Sequence, residues 1–144
     1  MSNDQILQLI IKFKNLQGER TQWYHVFDKI YKEYVEEKVS YEAYNEKCQE
    51  ITSGFVKISN DIQEIETKLI ELGAEAFAEQ LRLVQNLERE KLQLTAKYQI
   101  FNRENIQGEK DYSEVVKETE ELLEVVVESI NDTLEEVQNA VAEL

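Results

Sequence analysis

Proline is absent from this chain of 144 residues, and glycine occurs only four times. A proline inside a helix costs about 3 kcal/mol, so its absence leaves the chain free to form long helices. Glutamate, leucine, isoleucine, lysine and glutamine are abundant, and apolar residues recur at helical spacing along the sequence. The composition therefore predicts a nearly all-helical protein of about one domain.

Cysteine and histidine each occur once, as Cys48 and His25, which limits the chemistry open to the chain. One histidine excludes a di-iron site built from two Glu-x-x-His motifs, and no Cys/His cluster has zinc spacing. Glycine-rich phosphate-binding motifs are absent as well. A dyad of Cys48 and His25 has no support from spacing, and Cys48 falls in a helix seam where small apolar residues are usual. We therefore expect no enzyme and no cofactor or metal site.

Positive charge is also scarce: the chain has 16 lysines and arginines and 30 acidic residues, which gives a net charge of −14. A surface of this sign disfavours direct contact with nucleic acid or anionic lipid. The apolar run from Ile6 to Ile11 is too short for a signal core or a membrane span. With a single cysteine, we expect an intracellular protein whose partners are proteins, and both the nucleus and the cytoplasm with its cytoskeleton stay open.

The most regular pattern lies between Ser40 and Gly73, where apolar residues recur in alternating steps of three and four. This seam consists of Tyr41, Tyr44, Cys48, Ile51, Phe55, Ile58, Ile62, Ile65, Leu69 and Leu72. Such spacing is typical of the core positions of a coiled-coil helix, here about 50 Å long. We expect Ser40 to cap the start of this helix and Gly73 to end it.

Three further helices are predicted around this one, over about 3–37, 74–103 and 112–144. The first has the seam Leu9, Phe13, Leu16, Arg20, Trp23, Phe27, Ile30 and Tyr34, and the last has the seam Val116, Leu123, Val127, Ile130, Leu134, Val137, Val141 and Leu144. Asp111 and Glu114 are expected to form a capping box before the last helix. Short connections predict antiparallel neighbours. The fold class is therefore all-α, with long antiparallel helices in an elongated coiled coil or bundle, in which 1–108 form a three-helix core and 109–144 an acidic helix.

The acidic residues are concentrated at the C-terminal end. From Asp111 onward there are eleven acidic residues and one basic residue, Lys117. Several like charges lie four residues apart, and each such pair costs a few tenths of a kcal/mol in an isolated helix. Two interpretations stay open: the helix docks on a protein partner or a basic surface, or it closes the bundle as its fourth member.

Arg20 is the one charged residue in the first seam. With turns centred near residues 38 and 73, Arg20 is level with about residue 56 or 57 of the second helix and with about residue 89 or 90 of the third. Because arginine keeps its charge, burial requires a carboxylate partner, for which we choose Glu88 first and Glu90 second. The alternative is that Arg20 extends along its alkyl stem to solvent.

Two sequence blocks carry a family resemblance. Leu16-Gln17-Gly18-Glu19-Arg20 is followed by Tyr24, Phe27, Tyr31 and Tyr34, and later by Glu88-Arg89-Glu90-Lys91-Leu92-Gln93-Leu94-Thr95. Over about residues 6–103 this pattern resembles the "required for excision" B-type DNA-repair family. Gly18 permits close approach of another helix or is simply an exposed glycine. The resemblance implies a link to nucleotide-excision repair, and the family supplies no established catalytic residues to transfer.

We therefore expect a non-enzymatic helical adaptor or scaffold subunit of a larger assembly, linked by resemblance to DNA excision repair. It would bind proteins through its coiled-coil faces and its acidic C-terminal helix. The alternative is a structural coiled-coil component of a cytoskeletal or ciliary (axonemal) microtubule assembly, since long acidic helices without catalytic groups suit that role as well.

Overall fold

Long α-helices account for almost all of the described chain, which comprises residues 2–108 and 110–144 of this computed structural model. The helices are α1 (Ser2–Val35), α2 (Tyr41–Glu71), α3 (Glu75–Gln107) and α4 (Ser113–Ala142), and the described residues form no strand. The prediction of an all-α protein with four long helices is confirmed, with α3 extending four residues beyond its expected end. Over the same residues, none of the helices combines the length and apolarity that a membrane span requires.

Both predicted ends of α2 are confirmed by hydrogen bonds that cap the helix. At the start, the Ser40 hydroxyl accepts from the amide of Ala43 at 3.1 Å, as an N-cap side chain does. At the other end, Gly73 has a φ of 79°, a left-handed conformation in which glycine carries no steric penalty. The amides of Gly73 and Ala74 donate to carbonyls in the last turn of α2 at 3.0 and 2.8 Å. This is the Schellman pattern that ends a helix.

The end of α1 has the same pattern without a glycine. Glu37 has a φ of 63°, and the amides of Glu37 and Lys38 donate to the carbonyls of Tyr34 and Glu33 at 3.0 and 2.8 Å. An ion pair of 2.7 Å joins Lys38 to Glu36, and this contact lowers the pKa of Glu36 and raises that of Lys38. A non-glycine residue therefore holds the strained position of the α1–α2 turn.

The predicted capping box at the start of α4 is wrong. Tyr112 is the N-cap residue, and its side chain makes no capping bond. The carboxylate of Asp111 instead accepts from the amide of Ser113 at 2.9 Å and from its hydroxyl, which lowers the pKa of Asp111. Asp111 thus bonds two residues ahead, as aspartates do in turns, and does not pair with Glu114 three residues ahead. The helix begins one residue later than expected.

The chain divides into two compact units, Met1–Glu79 and Gln80–Leu144, with the boundary inside α3. In the first unit α1 and α2 form an antiparallel hairpin. The middle of the predicted α2 seam is fully confirmed as buried: Ile51, Phe55, Ile58, Ile62, Ile65 and Leu69. Tyr41, at the first position of α2, is 56 % exposed. The separate division into a family domain, 1–108, and an acidic helix, 109–144, stays a prediction.

The buried stripe of α1 differs in part from the predicted seam. Its apolar members are Ile6, Ile10, Phe13, Leu16, Phe27, Ile30 and Tyr31. Leu9, Trp23 and Tyr34 of the predicted seam are only half-buried. The stripe is therefore wide and changes its position along the helix, because an α-helix of 3.6 residues per turn drifts from a strict seven-residue repeat.

In the second unit the buried row of α4 contains two threonines that the predicted seam lacks. It consists of Val116, Thr119, Val126, Ile130, Thr133 and Val137. Of the predicted members, Leu123, Val127, Leu134 and Val141 are half-buried, and Leu144 is 44 % exposed. The end of α3 and the start of α4 meet through an edge-on contact between the rings of Phe101 and Tyr112, whose centroids are 5.0 Å apart.

Candidate functional site

Aromatic side chains fix the register of α1 against α2. The rings of Tyr24 and Phe55 lie 4.7 Å apart, and those of Tyr34 and Tyr44 stack at 4.7 Å with an interplanar angle of 12°. Such pairs contribute about 0.5–1.5 kcal/mol beyond the area they bury. The aromatic residues near this hairpin therefore pack the two helices together, as their spacing predicts.

Arg20 is buried in the same hairpin, with 3 % of its surface exposed. Its Nη1 donates to Gln17 Oε1 at 3.0 Å, and its Nη2 donates to Ser59 Oγ at 3.3 Å. Ser59 lies beyond the predicted level of residue 56 or 57. Side chains on a helix tilt toward its N-terminus, so a long side chain on α1 reaches a residue of α2 farther from the connecting turn.

The other block singled out in the sequence lies in the middle of α3. Glu88 is 7 % exposed, whereas Glu90 and Arg89 are exposed and Lys91 is half-buried. Glu88 is therefore the buried carboxylate of this block. Because Arg20 belongs to the first unit and Glu88 to the second, their pairing stays a prediction.

The neighbours of Arg20 in the first block, Gly18 and Glu19, both lie at the surface. A Cβ atom added to Gly18 would have no described atom within 4 Å. The interpretation of Gly18 as an exposed glycine is therefore favoured over one in which it allows close packing. Of this block, Gln17 and Arg20 carry the buried polar groups.

Sequence reasoning missed several buried polar residues. They are Gln17, Glu66, Gln85, Gln99, Thr119 and Thr133. The two threonines bond to their own helix: Thr119 Oγ1 donates to the carbonyl of Val115 at 2.7 Å, and Thr133 Oγ1 to that of Ser129 at 2.9 Å. A buried hydroxyl satisfied in this way costs little. Their spacing could have indicated burial, since Thr119, Val126 and Thr133 follow one another at steps of seven residues, the repeat of a helix seam.

His25 and Cys48, the single histidine and the single cysteine of the chain, lie on different helices. His25 is exposed on α1, and Cys48 is half-buried on α2. Burial raises the pKa of the Cys48 thiol, and a hydrogen bond with Tyr44 offsets part of this shift. A thiol with a raised pKa has little thiolate at neutral pH, which makes it a weak nucleophile. No group of three or more His, Cys, Asp or Glu side chains among the described residues is placed to hold a metal ion.

Each unit has a surface groove. In the first unit, a groove of about 830 Å³ lies between the start of α1 and the end of α2, and its lining includes Leu9, Lys12, Lys68 and Leu72. In the second, a groove of about 470 Å³ lies at the α3–α4 connection. Both linings mix polar and apolar side chains.

Comparison with known protein families matches residues 8–102 to the family described as DNA repair REX1-B. This region contains most of α1, all of α2 and α3 up to its last turns, and it ends before α4. Both blocks that carried the resemblance lie inside it. No curated protein and no solved structure matches the chain.

Proposed function

Because the chain belongs to the DNA repair REX1-B family, we propose that it is a non-enzymatic helical adaptor in a protein assembly linked to DNA excision repair. The observation that carries this proposal is the family match over residues 8–102, about two thirds of the chain.

The packing of α1 on α2 supports a scaffold. Both helices exceed 30 residues, so the pair offers long surfaces held in one register by aromatic contacts. The buried Arg20 guanidinium bonds to Gln17 and Ser59 inside this pair. A lone polar group in a helix interface favours one register over its alternatives more than it adds stability.

The properties of Cys48 and His25 support a role without catalysis. The thiol is shielded and disfavours its charged form, and the imidazole is exposed on another helix. Nucleophilic catalysis needs a thiol activated by a lowered pKa or a neighbouring base, and Cys48 has its pKa shifted in the opposite direction.

The charge distribution supports protein partners in place of nucleic acid. A net charge of −14 repels phosphate backbones, so any contact with damaged DNA would come from other subunits. The acidic α4 lies outside the family-matched region and adds a second surface for a protein partner.

The experiment is affinity purification of the tagged full-length chain from its own cells, before and after ultraviolet irradiation, with partners identified by mass spectrometry. We expect enrichment of excision-repair and transcription factors, and increased ultraviolet sensitivity of cells that lack the protein. Enrichment of tubulin-based structures with unchanged ultraviolet sensitivity would overturn the proposal in favour of a cytoskeletal or ciliary component.

A further inference from the structure

Helix α4 has an exposed apolar pair in addition to its buried row. Leu122 and Val125 are 50 % and 59 % exposed, and residues three apart lie on one side of a helix. Val126 and Ile130, by contrast, are buried. Two large apolar side chains therefore face solvent beside each other on a helix that already satisfies its packing through other residues.

Carboxylates surround this pair. Glu118 precedes Leu122 by one helical turn, Glu121 precedes Val125 by one turn, and Glu128 follows Val125 by almost one turn; all three glutamates are exposed. We call these five residues, Glu118, Glu121, Leu122, Val125 and Glu128, the α4 outer face. Lys117 is the one basic residue of α4, so a single positive charge on this helix accompanies the three glutamates.

We propose that the α4 outer face binds a basic amphipathic helix of a protein partner. This inference rests on the proposed adaptor function and names the chemistry of one partner segment. The apolar side of that helix would cover Leu122 and Val125, and its flanking lysines or arginines would reach the three glutamates.

Charge complementarity selects this occupant. Like charges four residues apart, such as Glu124 and Glu128, repel one another along α4, and a cationic partner relieves this repulsion. A second copy of the chain would bring an identical acidic face and be repelled, as would a nucleic acid or an anionic membrane. Glutamates at the edge would steer the encounter, and the apolar pair would supply the desolvated centre of the contact.

The test titrates the full-length chain into a fluorescent peptide of Leu, Ala, Lys and Arg that places its leucines on one helical face and its charges on either side. A peptide of the same composition in scrambled order is the control. We expect the amphipathic peptide to bind at least about tenfold more tightly, and its affinity to fall as salt rises because exposed charges are screened. Equal affinity of the two peptides would overturn the proposal, since it would show general attraction between opposite charges.

Two variants separate the contributions of the face. Leu122→Gln with Val125→Gln removes the apolar pair without changing the charge, and we expect affinity to fall at least about tenfold. Val56→Gln, at a valine of α2 that is 54 % exposed, is the matched control and should bind as the unmodified chain does. Glu118→Gln with Glu121→Gln and Glu128→Gln should reduce both the affinity and its dependence on salt. Circular dichroism confirms that each variant keeps its helix content.

Unchanged peptide affinity in the variant with Leu122→Gln and Val125→Gln would overturn the proposal that the α4 outer face binds a partner helix. The same variant also distinguishes this inference from the adaptor function in affinity purification from cells. If the unmodified chain enriches repair factors and the variant retains every one of them, the docking face is rejected and the adaptor function stands. If the unmodified chain enriches none, the adaptor function fails, and the peptide titration still decides the chemistry of the face.

Discussion

The indole ring of Trp23 on α1 lies directly against the backbone of Gly54 on α2. A Cβ atom at Gly54 would lie within 3.0 Å of three atoms of that ring, closer than real Cβ atoms approach their neighbours. Gly54 thus allows the two helices to approach at this level, beside the tilted ring pair of Tyr24 and Phe55. Among the glycines inside helices, it is the one whose missing side chain makes room for a neighbouring helix.

Gly54→Ala is expected to destabilise the protein by about 1–3 kcal/mol, the usual cost of overpacking. This cost opposes the gain of up to about 1 kcal/mol that alanine brings to a helix interior. Urea unfolding followed by circular dichroism measures the difference as a lower midpoint with an unchanged slope. The matched control is Gly18→Ala, where the new Cβ meets no described atom and the free energy of unfolding should rise by about 0.5–1 kcal/mol. Two changes of the same sign would contradict the role assigned to Gly54.

Glu37→Gly is expected to stabilise the protein by about 1 kcal/mol. Glu37 has a φ of 63°, and a residue with a Cβ pays about 1–2 kcal/mol for this left-handed conformation, whereas glycine pays only its larger loss of chain entropy. Thermal and urea unfolding would both report the gain. Glu37→Ala keeps the Cβ while removing the charge, so it separates backbone strain from electrostatics and should change stability by less than about 0.5 kcal/mol. Equal stabilisation by both substitutions would assign the effect to the charge.

If Arg20 pairs with Glu88 as predicted, Arg20→Ala is expected to cost about 3–5 kcal/mol, because the buried carboxylate of Glu88 is then left unpaired. Ser59→Ala removes one bond to the guanidinium and should cost only about 0.5–1.5 kcal/mol. Urea unfolding of both variants tests this difference.

A double-mutant cycle with Glu88→Gln then tests the predicted pairing of Arg20 with Glu88. A coupling energy above about 1 kcal/mol supports that pairing, and a coupling near zero rejects it.

Much of the fold was readable from sequence because its signals are local and repeated. The α2 row from Ile51 to Leu69 repeats without interruption, and the ends of α2 carry a serine and a glycine that suit their backbone conformations. The end of α1 gave a weaker signal, since Glu37 adopts a conformation that glutamate rarely takes. At Asp111 two local hydrogen-bonding patterns compete, and the turn to Ser113 formed in place of the capping box.

The candidate site was readable only in part. Arg20 is visible in the sequence as a charged residue in an otherwise apolar row. That its guanidinium bonds to Ser59 depends on the tilt of side chains on two helices, which the sequence does not show. The predicted α4 seam lacks Thr119 and Thr133 because a threonine can be buried or exposed, and its own helix can satisfy its hydroxyl. The contact between Trp23 and Gly54 likewise depends on how closely the two helices pack, and the sequence does not give that distance.

Substitutions of two neighbouring valines, Val125 and Val126, test whether α4 contributes to the stability of the fold. Val126 is 5 % exposed and Val125 is 59 % exposed, so the two differ in burial while sharing chemistry and position along the helix. Val126→Ala should destabilise by about 1–3 kcal/mol, since it removes buried apolar area and leaves a cavity. Val125→Ala should be neutral or slightly stabilising, because alanine has the higher helix propensity.

Urea unfolding of the full-length chain, followed by circular dichroism, gives both values under one condition. The expected difference would show that α4 is packed through its buried row while its outer side remains available to a partner. If the two substitutions have equally small effects, α4 does not contribute to the folded core, and its acidic residues then belong to an arm that becomes ordered on a partner. Amide hydrogen exchange in such an arm would slow only when the basic amphipathic peptide is added, whereas a packed α4 would be protected without it.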